Sequence, residues 1–147
     1  MTGSDGVLPA SLSDIREEFL ALEQKDRLLL LLEFSNDLPA LPERLRGHED
    51  ELERVEECQA PVFIDVAVDG DAVTLAATAP REAPTTRGFA SILVQGLTGL
   101  RPDEVLAVPS DFPQMLGLTE AVSPLRLRGM SGMLSRIKRQ VASKTAA

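Results

Sequence analysis

Val62-Phe-Ile-Asp-Val-Ala-Val-Asp-Gly-Asp-Ala-Val-Thr-Leu-Ala-Ala-Thr78 is the stretch whose reading decides the fold. Residues 62–68 are apolar and rich in β-branched side chains, Asp69-Gly70-Asp71 is a hairpin turn signal, and residues 72–78 alternate back as a partner strand. Residues 52–55 supply a candidate third strand. Between that strand and the hairpin lies Val55-Glu-Glu-Cys-Gln-Ala-Pro61, which contains the one cysteine of the chain, Cys58, on a predicted turn at the lip of the sheet.

Helices are predicted on both sides of this sheet. Ser13 or Asp14 can cap a helix in which Ile15, Phe19 and Leu22 make one buried stripe. Residues 26–38 hold the run Leu28 to Leu32 and Phe34, too continuous for a surface stripe, so a central helix is expected there, ending before Pro39. Asp37-Leu-Pro-Ala-Leu-Pro-Glu43 reads as a rigid extended connection, and an acidic loop follows over 47–51. Prolines at 80 and 84 end the sheet. Thr85 or Thr86 then opens a helix with Phe89, Ile92, Leu93, Gly96 and Leu97 on one face and Gly99 at its close; a glycine mid-face admits a close neighbour. Arg101-Pro-Asp-Glu104 starts a short helix to about residue 107, and 111–118 reads as another short helical piece. Ser123-Pro124 opens a last helix with a seam of Met130, Met133, Leu134, Ile137 and Val141, and with Arg136, Lys138, Arg139 and Lys144 assigned to its solvent face. The sum is an α+β fold: a small antiparallel sheet of about three strands flanked by N-terminal and C-terminal helices.

A length of 147 residues fits a single domain over 1–147, with the Gly/Ser/Asp-rich residues 1–10 expected to be loose. Hydrophobic residues make up 44%, and no apolar run approaches the roughly 18 residues that a membrane-spanning helix needs. The first ten residues lack the basic-then-apolar layout of a signal peptide, so a cytoplasmic location and no membrane partner are expected. Of the net charge of −8, residues 1–60 carry 15 Asp+Glu against 6 Lys+Arg, and the rest 8 against 9. With that acidity, no Trp and no Tyr, the chain lacks the charge and the stacking surface of a nucleic-acid binder.

One cysteine and one histidine cannot supply a four-coordinate metal site, and no glycine-rich phosphate loop is present, so no cofactor is expected. Pairing Cys58 with His48 as a hydrolase requires the base to reach the thiol; a solvated surface histidine is the plainer reading of His48. For Cys58 itself the residues leave two readings open, a small buried hydrophobe or a functional thiol. The adjacent Glu56 and Glu57 hold its thiol pKa up, and Arg126 and Arg128 offset them if the last helix begins beside the loop.

Val55-Glu-Glu-Cys-Gln-Ala-Pro-Val-Phe-Ile64 resembles the V-x-G-C-x-S-x-V-W-L signature of the SufE family of sulfur acceptors. Leu38-Pro-Ala-Leu41 is similar to that family's L-P-x-L segment, Ile92-Leu-Val-Gln-Gly-Leu97 to its A-x-I-V-x-G-L helix, and Leu116-Gly-Leu118 with Ser123-Pro-Leu-Arg-Leu-Arg-Gly-Met130 to its L-x-L and S-P-x-R-x-x-G-L elements. The matches run collinearly over about residues 15–140. Three departures stand out: Glu57 for glycine, Ala60 for serine and Phe63 for tryptophan. The resemblance implies a SufE-like α+β fold with Cys58 on a loop beside the sheet, accepting persulfide sulfur from a SufS-like cysteine desulfurase, stimulating it, and passing sulfur to an iron–sulfur scaffold. On that reading the chain is a relay without a cofactor, the pyridoxal phosphate belonging to the desulfurase. Arg126 matches the family arginine, contacting the partner, steadying the loop or merely packing over the surface. Gly129 and Gly132 are expected to permit close packing. A thiol-independent binding module with Cys58 in its core is the alternative.

Overall fold

A computed structural model describes residues 8–145. The hairpin forms as its sequence dictates. Strand β2 (Phe63–Asp69) and strand β3 (Ala72–Thr78) pair antiparallel from Phe63↔Thr78 to Asp69↔Ala72, with Gly70 at φ +65° in the turn, where glycine carries no Cβ penalty. The two-residue strand β1 (Glu53–Arg54) pairs with the start of β2, giving the order β1-β2-β3. The free edge of β3 is covered: Val73 and Gly99 are joined through Val73 N–H to the Leu100 carbonyl (2.7 Å) and Gly99 N–H to the Val73 carbonyl (2.7 Å).

The pleat divides the sheet residues between two faces. Ile64, Val66, Val73, Leu75 and Ala77 enter the main core, while Ala76 and Phe63 meet Leu41, Leu45 and Leu52 in a small second cluster beneath the proline-rich connection. On the main face lie helix α3 (Pro84–Leu97) and helix α5 (Pro124–Thr145). Helix α1 (Ala10–Leu20) and helix α2 (Gln24–Asn36) pack on α3 from outside, and the short helix α4 (Pro102–Leu106) packs on α5. The predicted α+β class, the three-stranded antiparallel sheet and the flanking helices are all present.

Three expectations need correction. The apolar run of α2 is not central: in that helix only Leu31 and Ser35 are buried, and Leu29 is 57% exposed. The centre is taken by α3, ten of whose 14 residues are buried, so α2 touches the core along one ridge. Helix α1 opens at Ala10, earlier than the Ser13/Asp14 cap, because the Leu12 and Ser13 amides already donate to the Pro9 carbonyl (3.0 and 2.8 Å) as Leu12 enters the core. Leu22 falls beyond that helix. Of the N-terminal residues expected to be loose, 1–7 lie outside the described residues. Finally, the cations of α5 divide: Arg139 and Lys144 are exposed as expected, whereas Arg136 and Lys138 are half-buried, Lys138 donating to the Val108 carbonyl (2.6 Å) and Arg136 to Glu53 (2.8 Å).

Two glycines let α3 take its place. A Cβ on Gly96 would sit 2.3 Å from a Leu12 methyl, and one on Gly88 would sit 2.3 Å from the Leu31 carbonyl oxygen. The first is the mid-face glycine singled out in the sequence; the second, where a backbone approaches, carries no comparable signal. Arg87 then ties three elements together, donating to the Ser35 carbonyl (2.9 Å) and to the Ala79 carbonyl (2.5 Å) at the end of β3. That anchors the 80–83 turn, which forms one wall of the site described next.

Candidate functional site at Cys58

The loop between β1 and β2 is closed at its base by Val55 N–H donating to the Val62 carbonyl (2.8 Å), with both valines fully buried. Inside that frame the Cys58 amide turns back to the Val55 carbonyl (3.1 Å), which aims the side chain inward. Cys58 is 8% exposed and belongs to the main core cluster. Its sulfur reaches this depth because α5 carries no side chain opposite it: a Cβ on Gly129 would lie 2.9 Å from Sγ.

One turn along α5, Gly132 makes a second notch, occupied by Glu57, whose Cγ and Cδ would both lie 2.6 Å from an added Cβ. Arg136, one turn further, donates to both Glu57 oxygens (2.8 and 3.4 Å) and to Glu53 (2.8 Å). Gln140 donates to Glu53 as well (2.6 Å) and accepts from the Val66 amide (3.0 Å). The spacing 129, 132, 136, 140 is one face of a helix, so α5 presents two notches, an arginine and a glutamine in line to the Cys58 loop. Glu57 therefore works as a latch that seats the loop against α5.

The electrostatics follow from this packing. Burial is the main cause that pushes the Cys58 thiol up to about 11; the Glu57 charge adds to it, and Arg54 and Arg136 only partly oppose it. Desolvation pushes the Glu53 carboxyl up, but hydrogen bonds from Gln140, Arg139 and Arg136 outweigh it and hold the group below its ordinary value. Arg136 likewise holds Glu57 down. At neutral pH the closed site thus contains a neutral thiol beside ionised carboxylates.

Beside Cys58 lies a cavity of about 240 Å³, lined by Cys58, Gln59 and Ala60 of the loop, Ala83 and Thr86 at the start of α3, and Leu125, Arg126 and Gly129 of α5. Ser123 caps α5 through its hydroxyl, which accepts from the Arg126 amide (3.2 Å), and the first turn of the helix lies beside the loop, Leu125 and Arg126 lining the cavity with Cys58. The structure therefore brings Cys58, Arg126 and Gly129 together, and seats Gly132 beside Glu57. Arg128 is exposed and does not line the cavity; the cations that act on the thiol are Arg54 and Arg136. His48 is exposed, its Nδ1 lies 3.0 Å from Glu51 Oε2, and it is not a lining residue, so the Cys58/His48 hydrolase arrangement is not formed. Among the described residues no cluster of His, Cys, Asp or Glu is arranged to hold a metal ion, and no helix is long and apolar enough to cross a membrane.

A three-stranded sheet with helices on one face and a single inward-pointing thiol in its first loop defines a small α+β protein built around one sulfur atom. The chain belongs to the SufE family: the family model described as "Fe-S metabolism associated domain" matches residues 13–141. It is 53% identical over 135 residues to an uncharacterized SufE-like protein of Mycobacterium tuberculosis, covering 91% of this chain and 93% of that one. A SufE-like protein 1 of Arabidopsis thaliana, chloroplastic/mitochondrial, is 28% identical over 134 residues, 90% of this chain but 35% of the plant protein. The solution structure of a hypothetical protein from Thermus thermophilus superposes with a TM-score of 0.84 at 39% identity, covering 96% of this chain and all of that one. The family expected from the sequence is thus shown, and with it an association with iron–sulfur metabolism.

Proposed function

We propose that Cys58 is a transient persulfide carrier that takes sulfane sulfur from a cysteine desulfurase, stimulates that enzyme, and passes the sulfur to an iron–sulfur scaffold. The observation that carries this reading is the thiol's seat: a side chain on a loop, facing a cavity with room for an added sulfur atom and stripped of any second thiol. In the transfer, the Cys58 thiolate attacks the outer sulfur of the donor's persulfide. A new S–S bond forms on Cys58, the donor's S–S bond breaks, and the donor cysteine leaves as a thiolate that takes up the proton Cys58 gave up. No net oxidation occurs, and no cofactor is needed on this chain. The work is that of a relay in the cytoplasm, with the C–S cleavage done by the desulfurase.

Burial sets a condition on the mechanism. Closed, the thiol is neutral and only 8% exposed; attack requires the 56–61 loop to swing out so that water or the partner lowers its pKa. The test is incubation with cysteine and a cysteine desulfurase: the wild type gains the mass of one sulfur atom on Cys58 and raises the desulfurase turnover, whereas Cys58→Ser folds but does neither. Stimulation retained by the serine variant overturns the reading.

The same burial favours a second reading, a thiol-independent binding module in which Cys58 only fills core space. Inertness of Cys58 to alkylation in the presence of the desulfurase selects it.

A further inference from the structure

Arg126 faces the Cys58 cavity with no carboxylate partner among the described residues, its only side-chain hydrogen bond being a long one from Nη1 to the Thr85 hydroxyl (3.4 Å). Every other arginine close to the thiol is committed: Arg136 to Glu53 and Glu57, and Arg54 to Glu56 and the Phe63 ring. The same guanidinium borders a neighbouring cleft of about 260 Å³ lined with Thr85 and Ser123. The start of α3 and the start of α5 both open onto this place, and helix N-termini favour negative charge. An exposed cation without a carboxylate partner thus lines a space whose resident side chain is neutral.

The covalent chemistry of the site supplies the missing anion. A persulfide is a stronger acid than the thiol it grows from, so the outer sulfur of a loaded Cys58 ionises where the bare thiol does not. That sulfur extends from Sγ away from Gly129, which already touches Sγ, and the open volume is the cavity shared with Arg126. The charged groups around it are Arg54 of β1, Glu57 of the loop, and Arg126 and Arg136 of α5; Ala83 of the turn before α3 and Thr86 of α3 carry no charge. Glu57 repels the loaded sulfur and is itself neutralised by Arg136, which leaves Arg126 as the free counter-charge.

We propose that Arg126 is the sulfur-binding residue of the loaded state, pairing with the anionic outer sulfur of the Cys58 persulfide and drawing the charged loop back into its closed seat. This rests on the carrier reading above and adds to it a site that discriminates loaded from empty protein.

The experiment loads the full chain without a desulfurase, using an inorganic polysulfide that gives up one sulfane sulfur and leaves one atom shorter. Failure of Cys58 to load from polysulfide and from the desulfurase alike sinks the carrier reading and this inference with it; loading without the behaviour below sinks this inference alone. Two measurements follow. In the wild type, loading raises the melting temperature at neutral pH, and the gain disappears as the outer sulfur is protonated in acid; a pH-independent gain, or none, overturns the proposal. In Arg126→Gln, the midpoint pH at which the loaded sulfur reacts with an alkylating reagent moves up by about one unit or more, the size expected for losing an opposite charge in contact. Arg126→Lys restores part of the shift, which a merely structural arginine would not require. An unmoved midpoint in a folded Arg126→Gln protein refutes the pairing.

Discussion

Gly129→Ala is the substitution that most directly separates the closed loop from the open one. The added methyl carbon would stand 2.9 Å from Cys58 Sγ and 3.5 Å from Cys58 Cα, inside contact distance of a loop that cannot retreat further into the core. Overpacking of this kind costs about 1–3 kcal/mol, and here the cost falls on the closed state alone. The open population therefore rises by a factor of about 5 to 150, at RT near 0.6 kcal/mol. A mid-helix glycine replaced by alanine also gains about 0.5–1 kcal/mol of helix stability, and that gain is common to both loop states. The folded, closed protein therefore loses about 0–2.5 kcal/mol net, less than the full overpacking cost that shifts the loop equilibrium. The assay is alkylation of Cys58 under native conditions, read by mass, with the melting temperature measured alongside. When reclosing outruns labelling, the rate reports the open population. An alkylation rate within about twofold of the wild type, where at least about fivefold is expected, refutes the claim that the helix notch holds the sulfur in.

Two further predictions concern the latch. Glu57→Gly removes a negative charge and the Gly132 contact together, so the Cys58 midpoint falls from about 11 toward the ordinary thiol range, seen in a thiolate absorbance titration; an unchanged midpoint would mean that burial alone sets it. Arg136→Met removes the donor that Glu53 and Glu57 share, and lowers stability at neutral pH by about 1–2 kcal/mol in urea unfolding. Both carboxyls are held below the ordinary value of 4.5, so their contribution is complete above that pH and is lost as pH falls through the depressed native values. The wild type accordingly loses stability more steeply than Arg136→Met below about pH 4.5, and parallel acid limbs would contradict the assignment.

The hairpin, the cap at Ser123 and the α5 seam were legible because each depends on near neighbours in the chain: a glycine turn, a hydroxyl before proline, a 3.6-residue period. The place of α2 was not, since five consecutive leucines say that a helix is apolar without saying which neighbour has already filled the core. Arg136 shows the same limit at the site. Periodicity put it opposite the methionine seam and so in solvent, yet its partners Glu53 and Glu57 lie some eighty positions earlier, beyond any local pattern. The available signal was the run Gly129, Gly132, Arg136, Gln140 on one helix face, two missing side chains followed by two donors, which marks a docked segment once a segment with carboxylates is sought.

Burial of Cys58 and a carrier role are compatible because burial suppresses the wrong reactions. At neutral pH a thiol with a pKa of about 11 is ionised only to about one part in ten thousand, and the closed loop withholds even that fraction from oxidants and small electrophiles. On the proposed carrier reading, a partner that draws the loop out would restore exposure and acidity in one motion, so reactivity would appear only where a donor or acceptor is docked. Glu57, which stands where the family signature has glycine, acts both ways on the proposed gating: the same carboxylate that seats the loop on Gly132 and Arg136 also opposes formation of the thiolate. The Glu57→Gly protein should then be labelled faster both because its loop opens more often and because its thiol ionises more readily. Comparing its alkylation rate with its absorbance midpoint separates the two contributions.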